Sequence, residues 1–228
     1  TAASSSGTTT PTWFDTVSNV SRSPHAPMVL DDAERGKLDE RDDDVFYTEP
    51  RLVTHVDAGF RERLTALYDE VLMADDRVFD AMSSHVSHLP NRQFDRVVGH
   101  GMNATELAAN DRLDEWFVQN LNETPLLPLE DESFDAVTCA VSVQYLQRPE
   151  AVFAEFARVL TPGGVLVVSV SDRMFPTKAV RAWWDRSMDE RADLVVAYAE
   201  STDRFTETRV VTDHPDRDPF IAIVAQRA

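Results

Sequence analysis

The sequence predicts an α/β fold, a mostly parallel sheet flanked by helices and closed by an antiparallel hairpin. Three observations carry that expectation. Short runs rich in β-branched or aromatic residues recur from RVFDAM (77–82) to VLVVSVS (165–171). The run AVFAEFARVL (151–160) separates the last two with a helical face of Phe153, Phe156, Ala157 and Leu160. Two more strand-like runs, ETRVVTDH (207–214) and FIAIVAQ (220–226), then follow across an Asp-Pro turn. Strands separated by helices imply parallel pairing through right-handed crossovers, and the terminal pair implies a hairpin.

Each element has its own justification. Val53, Val56, Phe60, Leu64, Leu67 and Val71 recur at helical spacing and predict an amphipathic helix ahead of the first strand. RVVGH (96–100), EWFVQ (115–119) and FDAVTCAV (134–141) supply the middle strands. Ser187 with Glu190 three residues on is a capping box that opens a late helix. Before Val45 the chain is Ser, Thr, Pro and acidic runs such as DERDDD (39–44), which bury little apolar surface. Residues 1–44 are therefore expected to form a flexible tail, with one domain over 45–228.

Bulk composition narrows the function. The chain has 228 residues, 43% of them hydrophobic, enough for a real core. Acids outnumber bases 40 to 22, giving a net charge of -18, and Lys37 and Lys178 are the only lysines. Such a surface repels phosphate backbones, which argues against nucleic acid as a partner. The acidity fits either adaptation to high salt or a GC-rich genome. Cys139 stands alone, so no internal disulfide forms and a reducing cytoplasm is the expected compartment. No apolar run approaches the roughly 20 residues of a membrane helix. The start TAASSSGTTTPTW lacks the basic segment and apolar core of a secretory signal, leaving a targeting remnant open.

One stretch is specific. PLLPLEDESFDAVTCAVSVQYLQRPEAVFAEFARVLTPGGVLVVSV (125–170) resembles the class I S-adenosylmethionine-dependent methyltransferases, from the acidic turn before strand four to the RVLTPGG turn feeding strand five. SSHVSHLP (83–90) and SDRMFPTKAV (171–180) are similar to motifs of an uncharacterised methyltransferase-like subgroup. The resemblance covers 46–228 as a plan of elements and 116–172 residue by residue. It implies a doubly wound, Rossmann-like sheet in the order 3-2-1-4-5-7-6, with S-adenosylmethionine as cofactor. It also implies methyl transfer to a small-molecule acceptor.

Carried onto this chain, the resemblance implies cofactor contacts from Asp80, Met82, Ser83 and Ser84 after strand one. Gly101, Met102 and Asn103 follow strand two; Asn120, Leu121 and Asn122 follow strand three; Val141 follows strand four. The family's glycine turn falls here on Met82, Ser84 and Val86, its ribose acid on Gly101 and its adenine acid on Asn120. Ser83 and Ser84 would bond a carboxylate or cap the next helix. Asn103 and Glu106 are the nearest substitutes for the ribose acid, and their spacing also fits a capping box, the preferred reading for Glu106.

Ligands of open α/β sheets sit at the carboxyl ends of the strands, which makes His85, His88, Tyr145 and Arg173 the catalytic candidates. His85 and His88 lie three apart, one helical turn. With His100 they lack an acidic or cysteine ligand at metal-site spacing, so no metal is expected. Arg173 and Lys178 beside Asp172 would suit an anionic acceptor. Phe46 and Tyr47 would fold over a cationic cofactor or pack on the core, and Trp183 and Trp184 would divide between pocket and core. Two other classes compete with an enzyme of this kind. A degenerate relative would bind cofactor weakly or not at all and act through a protein partner. A nicotinamide-dependent oxidoreductase would need a glycine pattern that is missing, and a lysine four residues after Tyr145.

Overall fold

The computed structural model describes residues 28–228. The order of elements is α1 (Asp43–Phe46), α2 (Ala58–Val71), β1 (Arg77–Ala81), β2 (Arg96–Gly101), α3 (Ala104–Ala108), β3 (Glu115–Val118) and β4 (Phe134–Ala140). Then come α4 (Pro149–Val159), β5 (Leu160–Val170), α5 (Met188–Glu200), β6 (Phe205–Asp213) and β7 (Phe220–Arg227), with short 3-10 turns at Val143–Tyr145 and Arg181–Trp183. The seven strands run β3-β2-β1-β4-β5-β7-β6. Pairing is parallel from β3 to β5, and β7 runs antiparallel to both β5 and β6. The expected sheet order and terminal hairpin are thus observed.

The central strands carry continuous β-branched runs because both of their faces are covered, whereas β3 and β6 at the two edges are largely exposed. Phe79, Val137, Val168 and Ile223 face α4 and α5 with Phe153, Phe156 and Tyr198. Val78, Ala136, Val167 and Ala222 face α2 with Phe60, Leu64, Leu67 and Tyr68. Helix α2 begins at Ala58, not Val53, because the Asp57 carboxylate caps the Phe60 amide at 2.8 Å. Residues 53–57 are left as a loop. Helix α5 carries the expected Ser187/Glu190 capping box. No helix among the described residues is long and apolar enough to cross a membrane.

Two expectations are corrected. The flexible tail does not extend to residue 44: from Val29 onward the chain is docked, and residues 1–27 lie outside the described part. Leu30 is 1% exposed, and the Glu150 carboxylate accepts from the Val29 and Leu30 amides and from Arg35. Farther along, the Lys37 and Lys178 ammonium groups both reach the Asp43 carboxylate, at 2.6 and 3.0 Å. The segment is held because the chain's two lysines converge on Asp43 within the acidic run. The second correction concerns the β1–β2 connection, residues 82–95, which contains no helix. Leu89 and Phe94 from this connection join the α2 side of the core in place of a helix. Ser83 and Ser84 therefore cap nothing, and His85 and His88 are not one helical turn apart.

Candidate functional site

A cavity of about 250 Å³ opens at the carboxyl ends of the parallel strands. Met82, Ser83 and Ser84 reach it from β1; Gly101, Met102 and Asn103 from β2; Asn120, Leu121 and Asn122 from β3; Val141 from β4. Asp80 stands outside this wall. It is buried, accepting from the Ser83 hydroxyl at 2.5 Å and from the Thr138 hydroxyl at 2.7 Å, and burial raises its pKa. Its place is beneath the turn, which it ties to β4.

The turn after β1 holds its shape without glycine. Met82 lies at φ 54° and Val141, after β4, at φ 48°. A left-handed conformation costs an L-residue roughly 1–2 kcal/mol, and is least expected of a β-branched one. Two such residues facing one cavity mark it as a place where packing overrides local preference. His100 supplies part of that packing. Its Nδ1 accepts from the Met82 amide at 3.1 Å, and its Nε2 donates to the Gln119 carbonyl at 2.9 Å. Burial holds its pKa down at about 4, so the ring is a neutral tie across the ends of β1, β2 and β3. Gly101 is required beside it, since a Cβ there would lie 2.6 Å from the Ser83 carbonyl oxygen.

Side chains after β2 and β3 divide between support and free edge. Asn103 Oδ1 accepts from the Thr105 and Glu106 amides, and its Nδ2 donates to the Tyr47 and Thr48 carbonyls. Asn122 donates to Asp43 and the Tyr145 carbonyl while accepting from the Gln147 amide. Both are fully engaged in structure. Glu106 does not close a capping box; its Oε1 accepts from the Arg51 amide at 2.7 Å and its carboxylate faces the cavity. Asn120 accepts from the Asn122 amide.

The mouth is aromatic. Phe175 sits at its centre, with ring centroids 5.4 Å from Phe46, 6.5 Å from Tyr47, 5.4 Å from His55 and 5.9 Å from Tyr145. The Tyr145 hydroxyl accepts from the Phe175 amide, and burial raises its pKa. Arg173 lines the cavity but is engaged by Asp218 at 2.6 Å. Lys178 is fully buried against Asp43 and the Arg41 carbonyl. Neither cation is free to hold an anion. Trp183 is buried, and the Trp184 indole donates to the Ala179 carbonyl; neither lines the cavity.

Of the other catalytic candidates, His85 sits against the Ser84 hydroxyl at 3.2 Å and lines neither cavity. His88 lines a second cavity of about 70 Å³ behind the turn, where burial and Arg61 hold its pKa down at about 4. Sequence reasoning missed His55. It stands on the loop before α2, lines both cavities and is not hydrogen-bonded through its ring among the described residues. The cavity wall desolvates it and lowers its pKa, partly offset by Glu106. No motif surrounds it in the sequence; the signal was only a histidine just ahead of the helix that covers the first strand.

Residues 81–168 match the family described as a methyltransferase domain. The ubiquinone/menaquinone biosynthesis C-methyltransferase of Shewanella pealeana is 27% identical over 142 residues, covering 55% of this chain and 56% of that protein. The match thus spans little more than half the relative's length. Among solved structures, an S-adenosylmethionine-dependent methyltransferase from Mesorhizobium loti superposes with a TM-score of 0.53 at 17% identity, over 75% of this chain and 98% of that one. Geranyl diphosphate C-methyltransferase from Streptomyces coelicolor A3(2), in complex with Mg2+, geranyl diphosphate and S-adenosyl-L-homocysteine, gives 0.53 at 18% identity, over 73% and 77%.

Proposed function

We propose, from the premise that this chain has the class I methyltransferase fold with a methyltransferase domain over residues 81–168, that its main cavity binds S-adenosylmethionine and supports methyl transfer to a small, uncharged acceptor. The observation that carries this reading is the convergence of the ends of β1, β2, β3 and β4 on one cavity.

The chemistry of the lining fits the group. Glu106 and Asn120 offer acceptors where hydroxyl and amino groups need them, while Met82, Met102, Leu121 and Val141 supply apolar walls. Ser84 and Gly101 keep the wall thin enough for close approach. When bound, the cofactor supplies an already activated methyl group, which leaves the protein the work of orientation, dehydration and proton removal.

Tyr47, Tyr145 and Phe175 form an aromatic rim that excludes water and suits both a sulfonium charge and a flat or apolar acceptor. Tyr145 acts through Phe175, whose amide it fixes. Arg173, held by Asp218, fixes the Met174–Phe175 segment. A ring nitrogen of His55 takes the acceptor's proton where one must leave, its depressed pKa keeping the imidazole unprotonated at neutral pH. His88 stands behind the turn in the second cavity. The pairing of Arg173 and Lys178 favours an uncharged acceptor over an anionic one.

Calorimetric titration with S-adenosylmethionine and S-adenosylhomocysteine, in low and in multimolar potassium chloride, tests the reading. Binding in the micromolar range, of order 8 kcal/mol, is expected. An absence of heat under both conditions would replace it with a methyltransferase fold retained for protein contacts.

A further inference from the structure

The second cavity is lined by a cation that no carboxylate pairs among the described residues. Arg61, on the first turns of α2, is half-buried and lines this space with Ser83, Ser84 and His88. Its Nε donates to the Asp57 carbonyl at 3.3 Å. Its terminal nitrogens make no hydrogen bond and meet no carboxylate within salt-bridge distance among the described residues. Arg173, the cation that lines the main cavity, is by contrast matched by Asp218.

The cavity also adjoins the main one directly. His55, Met82, Ser83, Ser84, Ala140 and Val141 line both. A ligand lying along the ends of β1 and β4 could therefore extend an end group past the turn towards Arg61. The backbone gives a reason for it to need a side-chain partner there. A helix entered from β1 would offer N-terminal amides and a positive dipole end to an anion, and residues 82–95 form no helix.

Resting on the methyl-transfer reading, we propose that Arg61 is the partner of the α-carboxylate at the methionyl end of the cofactor, doing from α2 what a helix after β1 would otherwise do. Thr54 and Ser84 flank the same space with hydroxyls. His55, Asp80 and His88 are the other titratable side chains that line this space, and the Asp80 carboxylate is already engaged by the Ser83 and Thr138 hydroxyls. Burial pushes Asp80 towards its neutral form, and burial together with Arg61 keeps His88 uncharged. The carboxylate would arrive beside the one guanidinium that lines this small chamber.

The test pairs one substitution with two ligands on the full chain. S-adenosylhomocysteine carries the amino-acid tail; 5′-methylthioadenosine shares the adenosyl group and lacks the tail. Arg61→Gln should weaken S-adenosylhomocysteine roughly 10- to 100-fold, the range of a charge-assisted hydrogen bond. It should leave 5′-methylthioadenosine within about 2-fold, and Arg61→Lys should recover part of the loss. Unchanged affinity for S-adenosylhomocysteine in Arg61→Gln would overturn the assignment. Equal weakening of both ligands would overturn it too, by making Arg61 a structural support. If the wild-type chain binds neither ligand, the methyl-transfer reading falls and takes this assignment with it.

Discussion

Acid should loosen the turn after β1 through His100. The ring accepts from the Met82 amide at Nδ1 and donates to the Gln119 carbonyl at Nε2. A second proton would have to sit on Nδ1, facing the Met82 N–H, donor against donor. Burial accordingly takes the pKa from 6.5 to about 4. Because the folded value lies below the unfolded one, the folded state takes up a proton less readily. Its contribution is complete above the unfolded value of 6.5 and is lost as pH falls towards about 4. Between about pH 7.5 and pH 5 this group alone removes about 2 kcal/mol of unfolding free energy. His100→Gln keeps an acceptor and a donor on one side chain but does not titrate. Urea denaturation of both proteins at both pH values reads the difference, and His88, which titrates in both, cancels in the comparison. Wild type should lose about 2 kcal/mol more than the variant on acidification. Equal losses would refute the assignment of a neutral, bridging His100.

Two further substitutions probe the same architecture. Gly101→Ala places a methyl group 2.6 Å from the Ser83 carbonyl oxygen, a backbone atom that cannot turn aside. Overpacking of this kind costs about 1–3 kcal/mol, a fall in Tm of about 2–4 °C per kcal/mol in a chain of this size. S-adenosylhomocysteine affinity should fall with it, and an unchanged melting curve would show that the turn has room to give. Asp43→Asn leaves the buried Lys37 and Lys178 without their shared carboxylate. A loss of about 3–5 kcal/mol is expected in urea, and an unchanged midpoint would mean that the segment from Val29 to Tyr47 is not held by this cluster.

The central strands were legible in the sequence because they are buried on both faces, and short β-branched runs such as VLVVSV, bounded by turn residues, favour a strand over a helix. The hairpin and the α5 capping box were legible for local reasons, turn residues in one case and a three-residue spacing in the other. The docked segment before α1 was not. Its composition is that of a solvated tail, and only the fold brings Lys178 from beyond β5 onto Asp43. The missing helix after β1 was equally hidden, since Leu89 and Phe94 read as helix-compatible apolar residues until their burial against α2 is known.

The site was partly legible. Positions at the ends of β1 to β4 follow from the sheet order, and ten of the eleven residues expected at the cofactor line one cavity, Asp80 being the exception. Their roles did not follow. Asn103 and Asn122 turn out to be engaged with backbone and Asp43, while Glu106, read as a cap, faces the cavity. His55 has no motif to announce it and depends on a loop crossing the mouth.

The most direct test of the central claim is a crystal structure of this chain with S-adenosylhomocysteine bound. The adenosyl group should lie between the ends of β1, β2, β3 and β4, with a ribose hydroxyl against the Glu106 carboxylate and the adenine beside Asn120. A ligand bound elsewhere, or one in this cavity with Glu106 turned away, would contradict it.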